Sequence, residues 1–188
     1  MRGGVQTPAP MRRILIVGCS GAGKTTLALA LGRHLGLEVV HLDREFWQPG
    51  WVQMERPEFL RRLAQHLAGE AWVIDGNYDS TLEQRLTRAD TAIFLDFSRW
   101  RCLTSVLRRT IRYFGRKRPD MNVGCPERID WEFTRWIWQY REVARPAVLG
   151  HLDGFRQRGG NVVILRTRTE LRNWLDTIRS QASEPALR

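Results

Sequence analysis

Five short runs of hydrophobic residues are spread along the chain and separated by longer stretches of mixed polar and apolar character. Continuous apolar runs of about four to eight residues are typical of strands that are buried on both faces. We therefore predict five strands, and their boundaries follow the runs. They are Arg13–Val17, Glu38–Leu42, Ala71–Asp75, Thr91–Asp96 and Asn161–Leu165.

The segments between these runs show hydrophobic residues at helical spacing, as Leu27, Leu31 and Leu35 illustrate. We predict a kink or break at Pro146, which cannot continue a helix without strain, and a cap by Thr169 at the start of the last helix. The aromatic segment that follows the second strand is predicted to be a loop. The other predicted helices are Lys24–Leu35, Glu58–Ala68, Thr81–Arg88, Arg99–Phe114 and Ile129–Leu149.

Alternation of strands and helices predicts an α/β domain with a parallel sheet that is covered by helices on both faces. The 188 residues fit one such domain, which we place at 12–180 between flexible tails at 1–11 and 181–188. No apolar run is long enough to span a membrane, and the first residues do not resemble a signal peptide. Three cysteines without paired spacing fit a reducing compartment, so we expect a cytoplasmic protein without membrane association.

The break between the first strand and the first helix has the pattern G-x-x-x-x-G-K-[ST], which is typical of a phosphate-binding loop (P-loop). Glycines allow backbone N–H groups to point at phosphate oxygens, and the helix N-terminus adds its positive dipole end. In this pattern Lys24 reaches the β- and γ-phosphates, and the Thr25 hydroxyl binds Mg²⁺. The predicted phosphate site comprises Gly18, Cys19, Ser20, Gly21, Ala22, Gly23, Lys24, Thr25 and Thr26.

A P-loop alone does not distinguish kinases from other nucleotide-dependent proteins. The chain has only one further lysine, Lys117, and it does not belong to the N-K-x-D pattern of guanine-specific proteins. The chain is also short for a motor ATPase. We therefore expect a three-layer P-loop NTPase fold that serves as a small kinase or as a nucleotide-dependent switch.

Several motifs resemble those of adenylate kinases and related nucleoside-monophosphate kinases. Asp75 ends a strand in a segment similar to their "LDG-aromatic" segment, where an Asp helps to hold Mg²⁺ through water, and Arg112 to Arg116 resembles their lid entrance. The resemblance implies ATP and Mg²⁺ as cofactors and a short Arg-rich lid at about 108–128. It also implies phosphate contacts from Arg108, Arg112, Arg116 and Arg135, and a nucleotide contact from Arg168.

The stretch from Arg12 to Arg179 also resembles a narrower family of adenylate-kinase-like P-loop proteins, the DNA topology modulation (FlaR-like) proteins. The name of that family describes a genetic effect and not a reaction. The matching segments are His41–Asp43, Phe46–Trp51, Asp75–Tyr78, Phe94–Asp96 with Arg99–Trp100, Arg118–Met121 and Gly124–Arg128.

One departure from adenylate kinases concerns the acceptor. Where those enzymes carry an Arg that grips the phosphate of AMP, this chain has Asp79, and the nearest arginine is Arg85. A carboxylate there repels a phosphate. Kinases of the shikimate and gluconate type use an Asp after the second strand, and Asp43 could serve as such a general base or merely cap a turn. Candidate acceptor contacts are Asp43, Arg44, Trp47, Asn77 and Tyr78.

Two functions remain open at this point. The first is Mg²⁺- and ATP-dependent phosphoryl transfer to a small or nucleotide-like acceptor that the sequence does not name. The second is a nucleic-acid-binding regulator, because the segment 99–118 carries eight basic residues and no acidic one. Phosphorylation of nucleic-acid 5′ ends would combine the two. The sequence leaves the oligomeric state open, and it favours core packing over base stacking for the aromatic residues of the segment 131–140.

Overall fold

The structure, a computed structural model, describes residues 11–115, 121–127 and 130–183. The predicted N-terminal tail lies outside the described residues except for Met11, which packs against the core. Part of the predicted lid, 116–120 and 128, also lies outside them, as does residue 129. The last helix includes 181–183, which the sequence assigned to the C-terminal tail. No helix among the described residues has the length and apolar character needed to cross a membrane.

Within the described residues, seven strands form one large and one small sheet. They are β1 (Arg13–Gly18), β2 (Val39–His41), β3 (Trp47–Gln48), β4 (Val52–Gln53), β5 (Trp72–Asp75), β6 (Thr91–Leu95) and β7 (Asn161–Leu165). The large sheet has the order β2-β5-β1-β6-β7, and all its strands are parallel. The five runs of hydrophobic residues therefore form the predicted five-stranded sheet.

Eight α-helices accompany the strands in the part of the chain that the structure describes. They are α1 (Lys24–Leu35), α2 (Leu42–Phe46), α3 (Arg56–Ala68), α4 (Leu82–Arg88), α5 (Arg99–Tyr113), α6 (Trp131–Val143), α7 (Arg145–Gln157) and α8 (Arg168–Ser183). Helices cover both faces of the sheet, so that its three central strands, β5, β1 and β6, are buried along nearly their whole length. This arrangement confirms the predicted three-layer α/β fold.

The sheet order determines where chemistry can occur. Strand β1, which leads into the P-loop, lies between β5 and β6, and Ile16 is in register with Asp75. In open parallel sheets the functional crevice lies beyond the carboxyl ends of the strands, where neighbouring strands connect to helices in opposite directions. The carboxyl end of β1 is therefore the place at which to look for a site, with Asp75 on one side and Asp96, just after β6, on the other.

The structure corrects three local predictions. The aromatic segment after β2 is not simply a loop, because Leu42 and Phe46 form one face of α2 and a hairpin of β3 and β4 follows. The predicted helix 129–149 is two helices that meet at Ala144, because Pro146 fits only the first turn of a new helix. The last helix is capped by Thr167, whose hydroxyl accepts the Glu170 N–H at 3.1 Å, and not by Thr169.

Candidate active site

The P-loop connects β1 to α1 through a backbone that requires glycine. Gly23 precedes the helix with a φ of 97°, a left-handed conformation that side chains disfavour. At Gly21 a Cβ atom would lie 2.4 Å from the carbonyl oxygen of Cys102 in α5, so only glycine lets the loop pass this helix. The Lys24 ammonium donates to the carbonyl oxygens of Gly18 at 2.9 Å and Cys19 at 3.3 Å, and thus folds back along the loop.

A polar cavity of about 470 Å³ lies over the P-loop, and residues 20–26 of the loop line it. It lies between the helix N-terminus, Asp75 and the arginine-rich side of α5. Two carboxylates and six cationic side chains line it, so its electrostatic character suits a polyanion such as a nucleotide triphosphate. The cations are Lys24, Arg101, Arg108, Arg109, Arg112 and Arg168.

Two of these cations, Arg101 and Arg109, were not among the contacts predicted from the sequence, and Arg101 is the more informative of the two. Its Nε atom is buried and has no hydrogen-bond partner among the described residues. Burial and the neighbouring positive charges of Arg168 and Arg108 lower the pKa of this guanidinium. An anion in the cavity would relieve both penalties, because it would supply acceptors and opposite charge. The sequence signal for Arg101 was its spacing, since Arg101, Ser105, Arg108 and Arg112 fall on one face of α5.

Asp75 lies at the carboxyl end of β5 and is 3% exposed. Its Oδ1 atom is 2.7 Å from Nδ1 of His41 at the end of β2, a contact that fixes the orientation of the carboxylate. Thr25 lines the same cavity, so the Thr25 hydroxyl and the Asp75 carboxylate both face the space where phosphates would lie. Mg²⁺ commonly uses few protein ligands and completes its shell with water and phosphate, so Thr25 and Asp75 fit the predicted metal.

This fit does not extend to a metal held by the protein alone. Among the described residues no group of three or more His, Cys, Asp or Glu side chains could hold an ion.

A second cavity, of about 550 Å³, adjoins the first, and its lining is mainly apolar. Helix α5 forms a wall of both cavities, because its residues 101, 105, 108 and 112 line the polar cavity and 100, 103, 104 and 107 line the apolar one. The remaining walls come from the β3–β4 hairpin, the segment 121–127 and the start of α6. Trp47, Trp51, Trp100, Trp131 and Phe133 provide its aromatic surface.

Asp43, in the first turn of α2, lines both cavities. The Tyr78 hydroxyl donates a hydrogen bond to Asp43 Oδ1 at 3.0 Å. Burial, followed by the charge of Asp43, raises the pKa of Tyr78, so the phenol stays protonated as the donor. Phe46 and Phe59 pack against the Tyr78 ring and hold it in place. The carboxylate therefore stands where a polyanion site meets an apolar site, in a fixed orientation.

Solved structures with the same fold include kinases. The shikimate kinase from Acinetobacter baumannii in complex with shikimate matches with a TM-score of 0.58 and 18% identity, over 95% of this chain and 97% of that chain. The deoxyadenosine kinase from M. mycoides with bound dATP matches with a TM-score of 0.50 and 15% identity, over 91% and 99%. This chain shares their fold. No protein-family model matches it, and no curated protein does.

Other residues that the sequence singled out lie elsewhere. Asn77 does not line either cavity; its Oδ1 atom accepts the Gly18 N–H at 3.3 Å and so ties β5 to the P-loop. Arg44 and Arg135 are exposed and line neither cavity. Arg116 lies outside the described residues. Of the predicted phosphate-binding arginines, Arg108, Arg112 and Arg168 are brought together with Lys24.

Arg85, the arginine nearest to Asp79 in sequence, points into the protein and not toward a ligand. Its side chain is fully buried and donates to the backbone carbonyl oxygens of Gly76, Asn77 and Tyr78. Burial lowers the pKa of this guanidinium to about 10. Arg85 therefore holds the turn after β5 and cannot reach a phosphorylated acceptor.

The aromatic residues of α6 divide between two roles. Tyr140 is buried, and Phe133 and Trp136 stack with ring centroids 6.2 Å apart, in agreement with core packing. Trp131 is 79% exposed and lies at the apolar cavity, and Trp138 is 41% exposed. The expectation of core packing is thus wrong for Trp131 and Trp138, since helical periodicity places them away from the sheet.

Proposed function

We propose that the protein is an ATP-dependent kinase that transfers the γ-phosphate of ATP to a hydroxyl group of a small acceptor. The observation that carries the proposal is the position of Asp43 between a cationic cavity over a P-loop and an apolar cavity of similar size. One cavity suits a phosphate donor and the other an organic acceptor. The fold, which is shared with a shikimate kinase and a deoxyadenosine kinase, supports the same function.

In this proposal the polar cavity binds the triphosphate. The backbone N–H groups of the P-loop and the Lys24 ammonium hold the β- and γ-phosphates, and Arg168 lies toward the nucleoside. Arg101, Arg108 and Arg112 stabilise the negative charge that spreads over the equatorial oxygens during transfer. Mg²⁺, held at Thr25 and through water at Asp75, would neutralise part of the phosphate charge.

Asp43 acts on the acceptor. Its carboxylate is oriented by Tyr78, and it accepts a hydrogen bond and then the proton of the acceptor hydroxyl as the oxygen attacks phosphorus. Most of the acceleration comes from positioning and charge stabilisation, because phosphoryl transfer needs little covalent help from a protein. Ser20 and Arg109 line both cavities beside Asp43, so the reacting groups meet at this boundary.

Transfer of radiolabelled γ-phosphate to a panel of nucleosides, sugars, hydroxy acids and aromatic alcohols tests this function. We expect Lys24→Ala to lower transfer by about 100-fold or more, because a preorganised cation at the γ-phosphate is lost. Arg33→Ala is the control, since this arginine is exposed in the last turn of α1 and lines neither cavity. Undiminished transfer by Lys24→Ala would contradict the proposal.

A further inference from the structure

Helix α5 and the residue that follows it carry a stripe of large apolar side chains that are open to solvent. The members of this α5 stripe, with their exposed fractions, are Trp100 (64%), Leu107 (60%), Ile111 (71%) and Phe114 (62%). Intervals of three, four and seven residues place them on one face of the helix, opposite the buried Cys102. The core of the protein does not account for these side chains.

Helix α6 widens this apolar surface. Trp100, near the start of α5, meets Trp138 in the second half of α6 edge to face, with ring centroids 5.1 Å apart. Arg109, in the second half of α5, lies over the ring of Phe133 near the start of α6, so the two helices run antiparallel. Trp131 lies seven residues before Trp138 and therefore on the same side of α6. Together α5 and α6 present neighbouring apolar faces to solvent.

The area of this surface is that of a protein interface. An aromatic side chain presents about 150–250 Å². The four exposed aromatic residues of the two helices, which are 41–79% exposed, together present about 500 Å² of this area. The aliphatic residues of the α5 stripe enlarge it. A standard interface buries about 800 Å² on each partner around an apolar core, so this surface is large enough to supply such a core.

A ligand in the apolar cavity would cover only part of this surface. Trp100 and Leu107 line that cavity, whereas Ile111 and Phe114 line neither cavity. The α5 stripe therefore continues for about two turns beyond the cavity. A partner that lies along the whole of α5 is needed to remove these side chains from water.

The charges beside the stripe favour a protein partner over an anionic membrane. A helix that lies on a membrane turns its basic residues toward the lipid headgroups. In α5, Arg99 pairs with Glu142, and the four other arginines line the polar cavity. The exposed charged residues of α6 have both signs, and they are Glu132, Arg135, Arg141 and Glu142. A surface with charges of both signs can pair with itself.

The spacing of the α5 stripe also makes it complementary to itself. Trp100 and Phe114 each lie seven residues from Leu107, and Leu103 and Ile111 each lie four residues from it. If two such helices pack antiparallel about a two-fold axis at Leu107, Trp100 faces Phe114 of the second copy and Leu103 faces its Ile111. Two-fold interfaces bury the same patch on both subunits, which this spacing allows.

We propose that the outer face of α5 and α6 binds a second copy of this chain, with the two-fold axis near Leu107. The two antiparallel helix pairs pack against each other as in a four-helix bundle. Because Trp100 and Leu107 also line the apolar cavity, the second copy contributes to the wall at its mouth. The inference stands on the exposed surface and does not depend on the proposed kinase function.

Sedimentation velocity of the full chain over a range of concentrations tests the assembly. We expect a dimer of about twice 21.9 kDa. Ile111→Glu places a carboxylate in the stripe of each copy, and we expect the dimer Kd to rise by about 100-fold or more because each dimer carries the substitution twice. Leu29→Glu is the control, since Leu29 is an exposed apolar residue of α1. It should form the dimer as the wild type does.

Leu107→Cys tests the position of the axis without adding a charge. A thiol at the axis lies beside the same thiol of the second copy, so mild oxidation should join the two copies by a disulfide. The native cysteines are buried, so the wild type should remain unlinked. Leu29→Cys is the matched control and should also remain unlinked.

Two results would overturn the inference. One is a wild-type chain that stays monomeric up to about 100 μM. The other is a dimer that persists in Ile111→Glu and forms no disulfide in Leu107→Cys, because such a dimer uses another surface. If the monomeric wild type binds anionic phospholipid vesicles and Ile111→Glu does not, the occupant is a membrane and not a second copy. Thermal unfolding of Ile111→Glu checks that the variant is folded.

Discussion

At the scale of single residues, two arginines near the site, Arg85 and Arg101, have buried nitrogen atoms in opposite situations. The Arg85 guanidinium is saturated by backbone carbonyl oxygens, whereas the Arg101 Nε atom is buried without a partner among the residues that the structure describes. A buried and satisfied cation indicates a structural role. An unsatisfied one that faces a cavity indicates a ligand. Sequence spacing alone could not separate these cases.

The structural role of Arg85 leads to a prediction about stability. Arg85→Leu removes the donors for Gly76, Asn77 and Tyr78 and leaves their carbonyl oxygens unsatisfied. We expect the free energy of unfolding to fall by about 3 kcal/mol, because several buried acceptors lose their partners. Urea denaturation measures the change. A midpoint equal to that of the wild type would show that the turn does not depend on Arg85.

The proposed contact between Arg101 and the nucleotide leads to a different prediction. Arg101→Met keeps the side-chain stem but removes a charge that burial, Arg168 and Arg108 destabilise. We therefore expect no loss of stability, together with a Kd for ATP that rises by about tenfold or more, since a charge-assisted contact is lost. Calorimetric titration with ATP and thermal unfolding measure the two effects.

Arg172→Met is the control for this experiment, because Arg172 is exposed on α8 and lines neither cavity. If Arg101→Met bound ATP as the wild type does, Arg101 would not contact the nucleotide.

Single-residue predictions from the sequence were best where chemistry is local. The P-loop is one continuous segment, so spacing alone predicted its residues, and residues 20–26 of that prediction line the polar cavity. The contact of Asn77 with Gly18 and the exposed position of Arg135 depend on how β5 and α6 pack against the rest of the chain, and no local pattern contains that information. The pairing of Asp75 with His41 likewise joins two strands that are distant in sequence but adjacent in the sheet.

At the scale of elements, α5 forms a wall of both cavities. The P-loop passes it at Gly21, and its polar and apolar faces line different spaces. The hydrophobic pattern predicted the helix and its bounds to within one residue. It did not predict the two cavities, because they exist only after the β3–β4 hairpin, the segment 121–127 and α6 have assembled around the helix.

The close approach of the P-loop to α5 can be tested by adding one methyl group. Gly21→Ala would place a Cβ atom 2.4 Å from the Cys102 carbonyl oxygen on a backbone with a φ of 82°. The left-handed backbone alone costs about 1–2 kcal/mol, and the overlap adds to this cost. We expect lower thermal stability and weaker ATP binding, which thermal unfolding with and without ATP measures.

Gly150→Ala is the matched control for Gly21→Ala. Gly150 lies inside α7, is exposed and has no atom near the position of an added Cβ. Since alanine is the better helix former, we expect this variant to gain about 0.5–1 kcal/mol. If the two variants behaved alike, the loop would not pass α5 as described.

At the scale of the whole molecule, the basic residues that give the net charge of +10 are unevenly distributed. Of the eight basic residues in the segment 99–118, Arg101, Arg108, Arg109 and Arg112 line the polar cavity. Arg99 pairs with Glu142 and lies over the Trp138 ring. Residues 116–118 lie outside the described residues. The charge of this segment is thus concentrated beside the P-loop.

This distribution makes a prediction about the alternative function of nucleic-acid binding. If an oligonucleotide binds through the four arginines of this segment that line the polar cavity, it competes with ATP for them, so we expect saturating ATP to displace it. Fluorescence anisotropy with a labelled single strand at low salt measures the competition. Binding that ATP leaves intact would instead favour a separate nucleic-acid surface and the regulatory function.

The overall architecture was the most predictable property. Five apolar runs that alternate with helical periodicity allow few arrangements other than a covered parallel sheet, and the P-loop fixes the strand that leads into the site. The acceptor side was the least predictable. Its walls come from segments that are far apart in the sequence. From the sequence alone, the aromatic residues of these segments are equally consistent with core packing and with a binding site.

The central claim is that Asp43 acts on an acceptor while the P-loop holds the donor, and Asp43→Asn tests it most directly. The amide keeps the size of the side chain and can still accept from Tyr78, but it cannot take a proton. ATP affinity, measured by calorimetry, should stay unchanged, and phosphoryl transfer by the same sample should fall by about 100- to 10,000-fold. Transfer at the wild-type rate, or a loss of ATP binding that parallels the loss of transfer, would contradict the account.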